Sequence, residues 1–600
     1  MSLPRFMNNK TSIILGINPT HNTSAAIMVD GAIVAAVQEE RFSRRKNDRG
    51  LPIKSIEFCL SQAGVDVGDL TCVALPSEDE FPFLLSTLED SDINKPQRLL
   101  LVNKIYHFLR YGILHNACYF WPKLSYLDWQ LTLLLNHLVA PRLRRQYREL
   151  LFKYCGIRGE KISYFAHHQT HAASAYFASG FALSGRPTLV FTADGGGGDL
   201  AETVWICKGR EMRMVSKTPV FTALAYMYMY TTMYLGLKPV EDEYKVMGLA
   251  PYAPRHKINE VVEKLNEFLY VDKRDLTFVS FISTNVFYKF LPKIYFQQRF
   301  DVIAAAIQEF CEQKVLEWVE AAYNKYKISQ AVFSGGLFAN VVVNQKIIEQ
   351  SKLKKFFFMP SPGDESNCLG SCYLGYLATN KKSVPEGLDN LYLGPEFKNR
   401  LAPTILKARK LGFRVNKPKD INQVVVRLLS EGKIVARFIG RMEFGARALG
   451  NRSILADASR FEARDEINKF IKSRDFWMPF APSILSSHEA DYIKNPKKLR
   501  APFMAVTFET TEKARKDLAA AIHPYNKTAR AQIVYKEDNS DYFDLLEKYG
   551  DLGGKWGLLN TSFNLHGEPI VCTPSDALST FTRSGLRYLQ LENYIIEKRN

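Results

Sequence analysis

Short β-forming runs that end in glycine or acidic turns, each followed by a helical run, recur along this chain and point to an α/β fold. Thr188–Thr192 leads into Ala193-Asp194-Gly195-Gly196-Gly197-Gly198-Asp199, and Ala331–Phe333 into Ser334-Gly335-Gly336. Lys355–Phe358 leads into Pro360-Ser361-Pro362-Gly363-Asp364-Glu365-Ser366. Glycines at such turns let backbone N–H groups approach phosphate oxygens, and a helix starting after Gly336 adds its N-terminal dipole. Near the start, Ser12–Ile17, Ser24–Val29 and Ala32–Val37 read as strands, the last two joined as a hairpin by Asp30-Gly31. Helices are expected over Ile53–Ala63 and Ile303–Lys325.

The 600 residues exceed what one hydrophobic core serves, so more than one domain is expected. A polar stretch at 379–387 marks a linker, which we place at 381–397. It separates a first domain at 1–380 from a second at 398–600. Residues from about 98 to 152 interrupt the α/β rhythm with Leu, Tyr, Phe, Trp and Arg at helical spacing. They read as a helical insertion packed on the core, with a surface for an apolar acceptor, a partner or a membrane interface as the other reading.

Charge and cysteine usage narrow the class. Lys+Arg 79 against Asp+Glu 62 gives a net charge of +17, which suits an anionic partner such as a nucleotide or phosphate. The 9 Cys include no CxxC pair, which favours reduced thiols and a cytoplasmic setting. The first 30 residues lack a signal-peptide pattern, and no apolar run reaches the roughly 18 residues of a membrane span.

His167-His168-Gln169-Thr170-His171 opens a helical run in which His167 and His171 are i and i+4. They therefore project from one face, a geometry that suits two imidazole ligands to one metal ion. Spacing alone leaves a chance surface cluster open. His168 points elsewhere and reads as structural. Between Lys433 and Arg474 there are ten Lys/Arg and five Asp/Glu, centred on Gly440-Arg441-Met442-Glu443-Phe444-Gly445-Ala446-Arg447-Ala448-Leu449-Gly450-Asn451-Arg452. Arginines among glycines suit bidentate capture of phosphate, and the interleaved Phe444, Leu449 and Ile454 favour a lined pocket over a solvated face. Thr528-Ala529-Arg530-Ala531-Gln532 and Asn560-Thr561-Ser562-Phe563-Asn564 add polar segments.

The hairpin with His21, the run Gln38-Glu39-Glu40-Arg41-Phe42-Ser43-Arg44-Arg45-Lys46-Asn47-Asp48, the HHxxHAxSA run and Glu243-Tyr244-Lys245-Val246-Met247-Gly248-Leu249-Ala250-Pro251-Tyr252 occur in an order that resembles one family. That family is the O-carbamoyltransferases of the nodulation-protein-U and cephamycin type. The resemblance implies an actin/hexokinase-like ATPase domain followed by a YrdC-like domain. It further implies a divalent metal, iron in the family, on His167, His171 and Asp364, with Asp194 nearby. The mixed N/O donors would also accept zinc, manganese or magnesium.

The activity implied is ATP-dependent transfer of the carbamoyl group of carbamoyl phosphate, through carbamoyl adenylate, to a hydroxyl of a small-molecule acceptor. Nucleotide-binding candidates are Lys46, Asp194, Gly195, Gly196, Lys245, Gly335, Gly336, Asn340, Arg452, Arg474, Asn560 and Ser562. Arg441, Arg447, Lys472 and Arg530 are expected to neutralise phosphates during catalysis, with Arg452 and Arg474 beside them. Asn560 and Ser562 are expected to orient the carbamoyl group. His21 is the candidate general base, with a turn-capping residue as the plain reading. The chain departs from the family pattern at Asn22, Ser366 and Ala446. A tRNA-modification-like carbamoyl transfer and an actin-fold kinase or hydrolase are the alternatives. Nucleic-acid binding is disfavoured because no aromatic RNP signature accompanies the charge. A homo-oligomer stays open.

Overall fold

The computed structural model describes residues 11–76, 108–472 and 475–599. Arg474 and the first ten residues of the expected insertion lie outside that set. The chain forms two compact units, one of residues 1–34 and 49–388, the other of residues 35–48 and 389–600.

Strands β1 (Ile13–Asn18), β2 (Ser24–Val29), β3 (Ala32–Gln38), β4 (Cys72–Pro76) and β5 (Ile162–Phe165) form a sheet ordered β3-β2-β1-β4-β5. The turn between β2 and β3 places Asp30 at φ 49° and Gly31 at φ 94°, the two positive values that a tight hairpin needs. A second sheet contains β6 (Thr188–Gly197), β7 (Leu200–Lys208), β8 (Glu211–Pro219), β9 (Gln330–Ser334) and β10 (Lys355–Phe358), ordered β8-β7-β6-β9-β10. Both sheets repeat one plan, in which the first strand pairs antiparallel with the second and parallel with the fourth. This duplicated order is that of the actin/hexokinase-type fold.

Five helices matter for the site and its surroundings: α1 (Leu124–Cys155), α2 (His167–Ala178), α3 (Leu224–Tyr234), α4 (Phe300–Tyr326) and α5 (Val341–Gln350). A sixth, α6 (Asn367–Thr379), packs on β1 and β4, while α2 packs on β6 and β9. The two helices also pack on each other, and Gly370 permits it: a Cβ there would lie 1.9 Å from the Thr170 carbonyl oxygen. No helix among the described residues is long and apolar enough to cross a membrane.

The second unit is built on an eight-stranded mixed sheet. Its strands are β11 (Arg414–Asn416), β12 (Val435–Phe438), β13 (Arg452–Asp457), β14 (Ala481–Leu485), β15 (Gln532–Val534), β16 (Gly557–Ser562), β17 (Tyr588–Leu591) and β18 (Tyr594–Glu597). They run in the order β11-β18-β17-β12-β13-β16-β14-β15. Helices α7 (Ile421–Ser430) and α8 (Ser540–Gly553) bury Val425, Leu429, Tyr542 and Leu546 against it. Asp420 and Asn539 cap these helices by accepting from Gln423 and Tyr542 N–H.

Two boundaries differ from the sequence reading. Residues 35–48, assigned there to the first domain, pack with the second unit. Arg41 donates to Gly445 O (2.7 Å), and Arg44 to Pro569 O (2.8 Å) and Ile570 O (2.7 Å). The stretch 381–397 is not one free linker. Glu386 N–H donates to Gly31 O and Leu388 N–H to Ala178 O in the first unit, whereas Phe444 N–H donates to Leu391 O in the second. Backbone groups that find partners on either side of position 388 fix the chain in both units.

Candidate functional site

In the first unit, four donor side chains converge. His167 and His171 are buried near the start of α2, Asp194 sits toward the end of β6, and Asp364 lies in the turn after β10. His171 Nε2 is 3.4 Å from Asp194 Oδ2 and 3.4 Å from Asp364 Oδ1, and His167 Nε2 is 3.6 Å from Asp364 Oδ1. One ligand atom from each residue falls within 4.8 Å of all the others. Donors on a tetrahedron with metal–ligand bonds of about 2.1 Å stand about 3.4 Å apart, so this spacing fits one divalent ion.

The two carboxylates are each held by partners of their own. Asp194 Oδ2 accepts from Gly336 N–H (2.8 Å) and Oδ1 from Gly195 N–H (2.6 Å). These two N–H groups, expected to face phosphate, aim Asp194 instead. Gly335 makes the turn possible: its φ is 99°, and a Cβ would lie 2.2 Å from Ala193 O. Asp364 Oδ2 is 3.0 Å from the Thr20 hydroxyl, which thereby adds a residue that the sequence reading missed.

Burial works against charge on Asp194, Asp364 and His171, but their contacts with one another and with His167 prevail. Desolvation would raise the Asp194 carboxyl, yet its hydrogen bond to His171 and the nearby imidazoles hold it far below the ordinary range. Asp364 is likewise held low against its burial by His167 and His171. Burial and His167 pull His171 down, and its contacts with Asp194 and Asp364 lift it above the usual value.

His168 has another use. Trp205 Nε1–H donates to Thr203 Oγ1 (2.6 Å), which leaves the Thr203 proton for Thr192 Oγ1 (2.5 Å) and the Thr192 proton for His168 Nδ1 (2.7 Å). His168 Nε2–H then donates to Leu200 O (2.9 Å). This chain fixes α2 to β6 and β7 through a neutral imidazole, whose pKa burial pushes down to about 3.

The other first-unit candidates are more dispersed. Asn340 is the N-cap of α5, accepting from Val342 and Val343 N–H, and also contacts Gln308 on α4. Lys245 pairs with Asp242 at 3.3 Å. Gly196 adopts φ 143° against Val220. His21 pairs through its backbone with Arg49 and is the neighbour of Thr20. Asn22, at φ 54°, takes a left-handed conformation that asparagine tolerates. The Ser366 hydroxyl donates to Gly363 O (3.0 Å), closing the turn that carries Asp364. Lys46 is exposed and belongs to the second unit.

In the second unit, the three polar segments meet on one loop. Glu443 Oε1 accepts from the N–H groups of Leu449 (2.7 Å), Asn451 (2.8 Å) and Arg452 (3.2 Å). Gln532 donates to Leu449 O (2.9 Å), and Asn560 to Ala448 O (3.2 Å). The loop so clamped carries half-buried Arg447, while Ala446 beside it is exposed. Arg441 donates to Leu393 O (2.7 Å) and Gly394 O (3.2 Å), and Arg530 is half-buried.

Besides Arg441, two more expected phosphate ligands are engaged within the protein. The fully buried Arg452 guanidinium donates to Ile439 O (2.6 Å), Gly440 O (3.0 Å), Asn451 O (3.1 Å) and Pro395 O (3.3 Å). Lys472 Nζ reaches Ser562 O (2.6 Å), Asn564 Oδ1 (2.7 Å), Ser562 Oγ (3.1 Å) and Asn564 O (3.1 Å). Both cations therefore shape loops. Glu443 and Gln532 were overlooked because a single acid or amide in a basic stretch carries no spacing signal.

This chain belongs to the carbamoyltransferase family: residues 13–373 match the model of the carbamoyltransferase N-terminus and residues 426–598 that of the C-terminus. It is a carbamoyltransferase of the nodulation-protein type. Nodulation protein NolNO of Sinorhizobium fredii is 30% identical over 588 residues, covering 96% of this chain and 79% of that protein. An uncharacterized protein of Methanocaldococcus jannaschii is 31% identical over 600 residues, covering 98% of this chain and 100% of its own. Among solved structures, full-length HypF in its phosphate- and nucleotide-bound form aligns with TM-score 0.33 and 11% identity, covering 62% of this chain and 56% of that chain.

Proposed function

We propose that the protein is an ATP-dependent O-carbamoyltransferase that divides its chemistry between the two units. In the second unit, water cleaves carbamoyl phosphate to carbamate and phosphate. A carbamate oxygen then attacks the α-phosphorus of ATP, giving carbamoyl adenylate as pyrophosphate leaves. Arg447, Arg530 and Arg441 supply positive charge where phosphate charge develops. Arg452, Lys472, Asn560 and Ser562 hold the loops that present them.

In the first unit, His167, His171, Asp194 and Asp364 hold a divalent metal, with iron favoured by the family. A metal there supplies Lewis-acid polarisation of the carbamoyl carbonyl. His21 takes the proton of the acceptor hydroxyl as its oxygen attacks the carbamoyl carbon and AMP departs. Its place next to Thr20, which contacts Asp364, supports that role. Gly196, Gly335, Lys245 and Asn340 border the nucleotide side of this unit, and Lys46 serves the second. The acceptor is a hydroxylated small molecule, and the setting is cytoplasmic.

The convergence of two imidazoles and two carboxylates is the observation that carries this reading. Pyrophosphate release from ATP and carbamoyl phosphate without acceptor tests it. Release that persists in His171→Ala, together with lost AMP formation across a panel of hydroxylated metabolites, is the expected result. No pyrophosphate release from the wild-type enzyme would overturn it.

A further inference from the structure

The helical segment at 108–155 belongs to the first unit and supplies none of the groups named above. Its apolar side chains are only partly covered. Phe120 is 74% exposed and Trp121 65% exposed at the turn before α1, with their rings 6.3 Å apart and Tyr119 against Phe120. Along α1, Leu127, Leu134 and Phe152 are exposed as well. At 100° per residue these three positions fall within about 20° of one another, so they form one line down the helix. Ser125, Ala140, Tyr147 and Leu151 are buried on the opposite side.

The charge on the same segment is predominantly positive. Residues 108–155 carry seven Lys/Arg against two Asp/Glu. Lys123 and Arg145 fall on the sector of the exposed apolar line, and the Arg145 side chain is 83% exposed while pairing with Glu149 at 3.3 Å. Exposed Trp and Phe beside basic side chains suit a surface that is apolar below and anionic at its rim. A lipid headgroup layer has that character. A protein partner would need an acidic surface with its own apolar groove, and nothing in this segment selects for such a shape.

We propose that this face of α1 and the aromatic turn before it rest on an anionic lipid surface, lying in the interface without crossing it. The mode differs from a span because no described helix is apolar enough to cross. The proposal stands independently of the carbamoyl-transfer reading.

The full chain is to be sedimented with vesicles of phosphatidylcholine alone and of phosphatidylcholine mixed with phosphatidylglycerol. Binding to the mixed vesicles, at least tenfold weaker on the neutral ones and weakened by added salt, is expected. F120S/W121S should lower that binding at least tenfold while its urea unfolding midpoint stays at the wild-type value. If that pair fails to fold, K123E/R145E must show the same loss. Equal binding to both vesicle types, or none, would refute the idea. So would a light-scattering mass showing that F120S/W121S dissociates an oligomer while vesicle binding is unchanged, since the face would then cover a second copy.

Discussion

His171 Nε2 stands 3.4 Å from Asp194 Oδ2, and the same nitrogen is 3.4 Å from Asp364 Oδ1. Asp194 thus shares an imidazole with Asp364, and one of its oxygens lies within 4.8 Å of a donor atom from each of the other three residues. Asp194→Asn should remove a charged donor while keeping the shape. Bound divalent metal should fall well below the level of about one per chain expected of a four-donor site. Adenylate formation in the second unit should continue. Elemental analysis with pyrophosphate release checks both, and an unchanged metal content would exclude Asp194 from the set.

His168 is predicted to act on stability through its hydrogen bonds to Thr192 and Leu200. His168→Leu takes one partner from the half-buried Leu200 carbonyl and one from the buried Thr192 hydroxyl, which keeps Thr203, at a total cost of about 1–3 kcal/mol. Urea unfolding should show this loss. Metal stoichiometry at saturation should remain that of the wild type, because His168 supplies no donor to the cluster. A variant as stable as the wild type would show that the hydrogen-bond chain contributes nothing.

Glu443 is the corresponding organiser in the second unit. One carboxylate oxygen answers three N–H groups of the loop that carries Arg447. Glu443→Ala should lower pyrophosphate release at least tenfold, given that a loss of about 1.4 kcal/mol in transition-state positioning already costs that factor. Glu443→Gln, which retains an accepting oxygen, should recover much of it. Equal damage in both variants would point to the charge rather than the loop geometry.

The sequence made some of this legible and hid the rest for physical reasons. The hairpin at Asp30-Gly31, the helix at Ile53–Ala63 and the i, i+4 pair His167 and His171 depend on local conformation, and local pattern reveals them. The resemblance implies Asp364 as a metal ligand with Asp194 nearby. It did not show that Gly195 and Gly336 N–H groups turn onto Asp194, since that depends on where β6 and β9 lie side by side. Arg452 and Arg447 look alike in the chain. Only burial separates a guanidinium whose two terminal nitrogens donate to carbonyls from one carried on a half-buried loop position. The attachment of residues 35–48 to the second unit was hidden for the same reason, because Arg41 and Arg44 find their carbonyls more than four hundred positions away.

That contrast between the two arginines gives the last test. Arg452 is fully buried, lies 3.7 Å over the Phe438 ring and spends its donors on backbone oxygens. Arg452→Ala removes them together and opens a cavity, so a loss of about 3 kcal/mol or more in unfolding free energy is expected. Arg452→Lys should recover little, because one ammonium cannot match the planar spread of the guanidinium. Arg447→Ala should leave unfolding within about 1 kcal/mol of the wild type, a margin ordinary for substitutions outside the core, while pyrophosphate release falls sharply. Urea unfolding and pyrophosphate release, measured on all three proteins, separate the roles. If Arg447→Ala proved the more destabilising change and kept full pyrophosphate release, the two assignments would have to be exchanged.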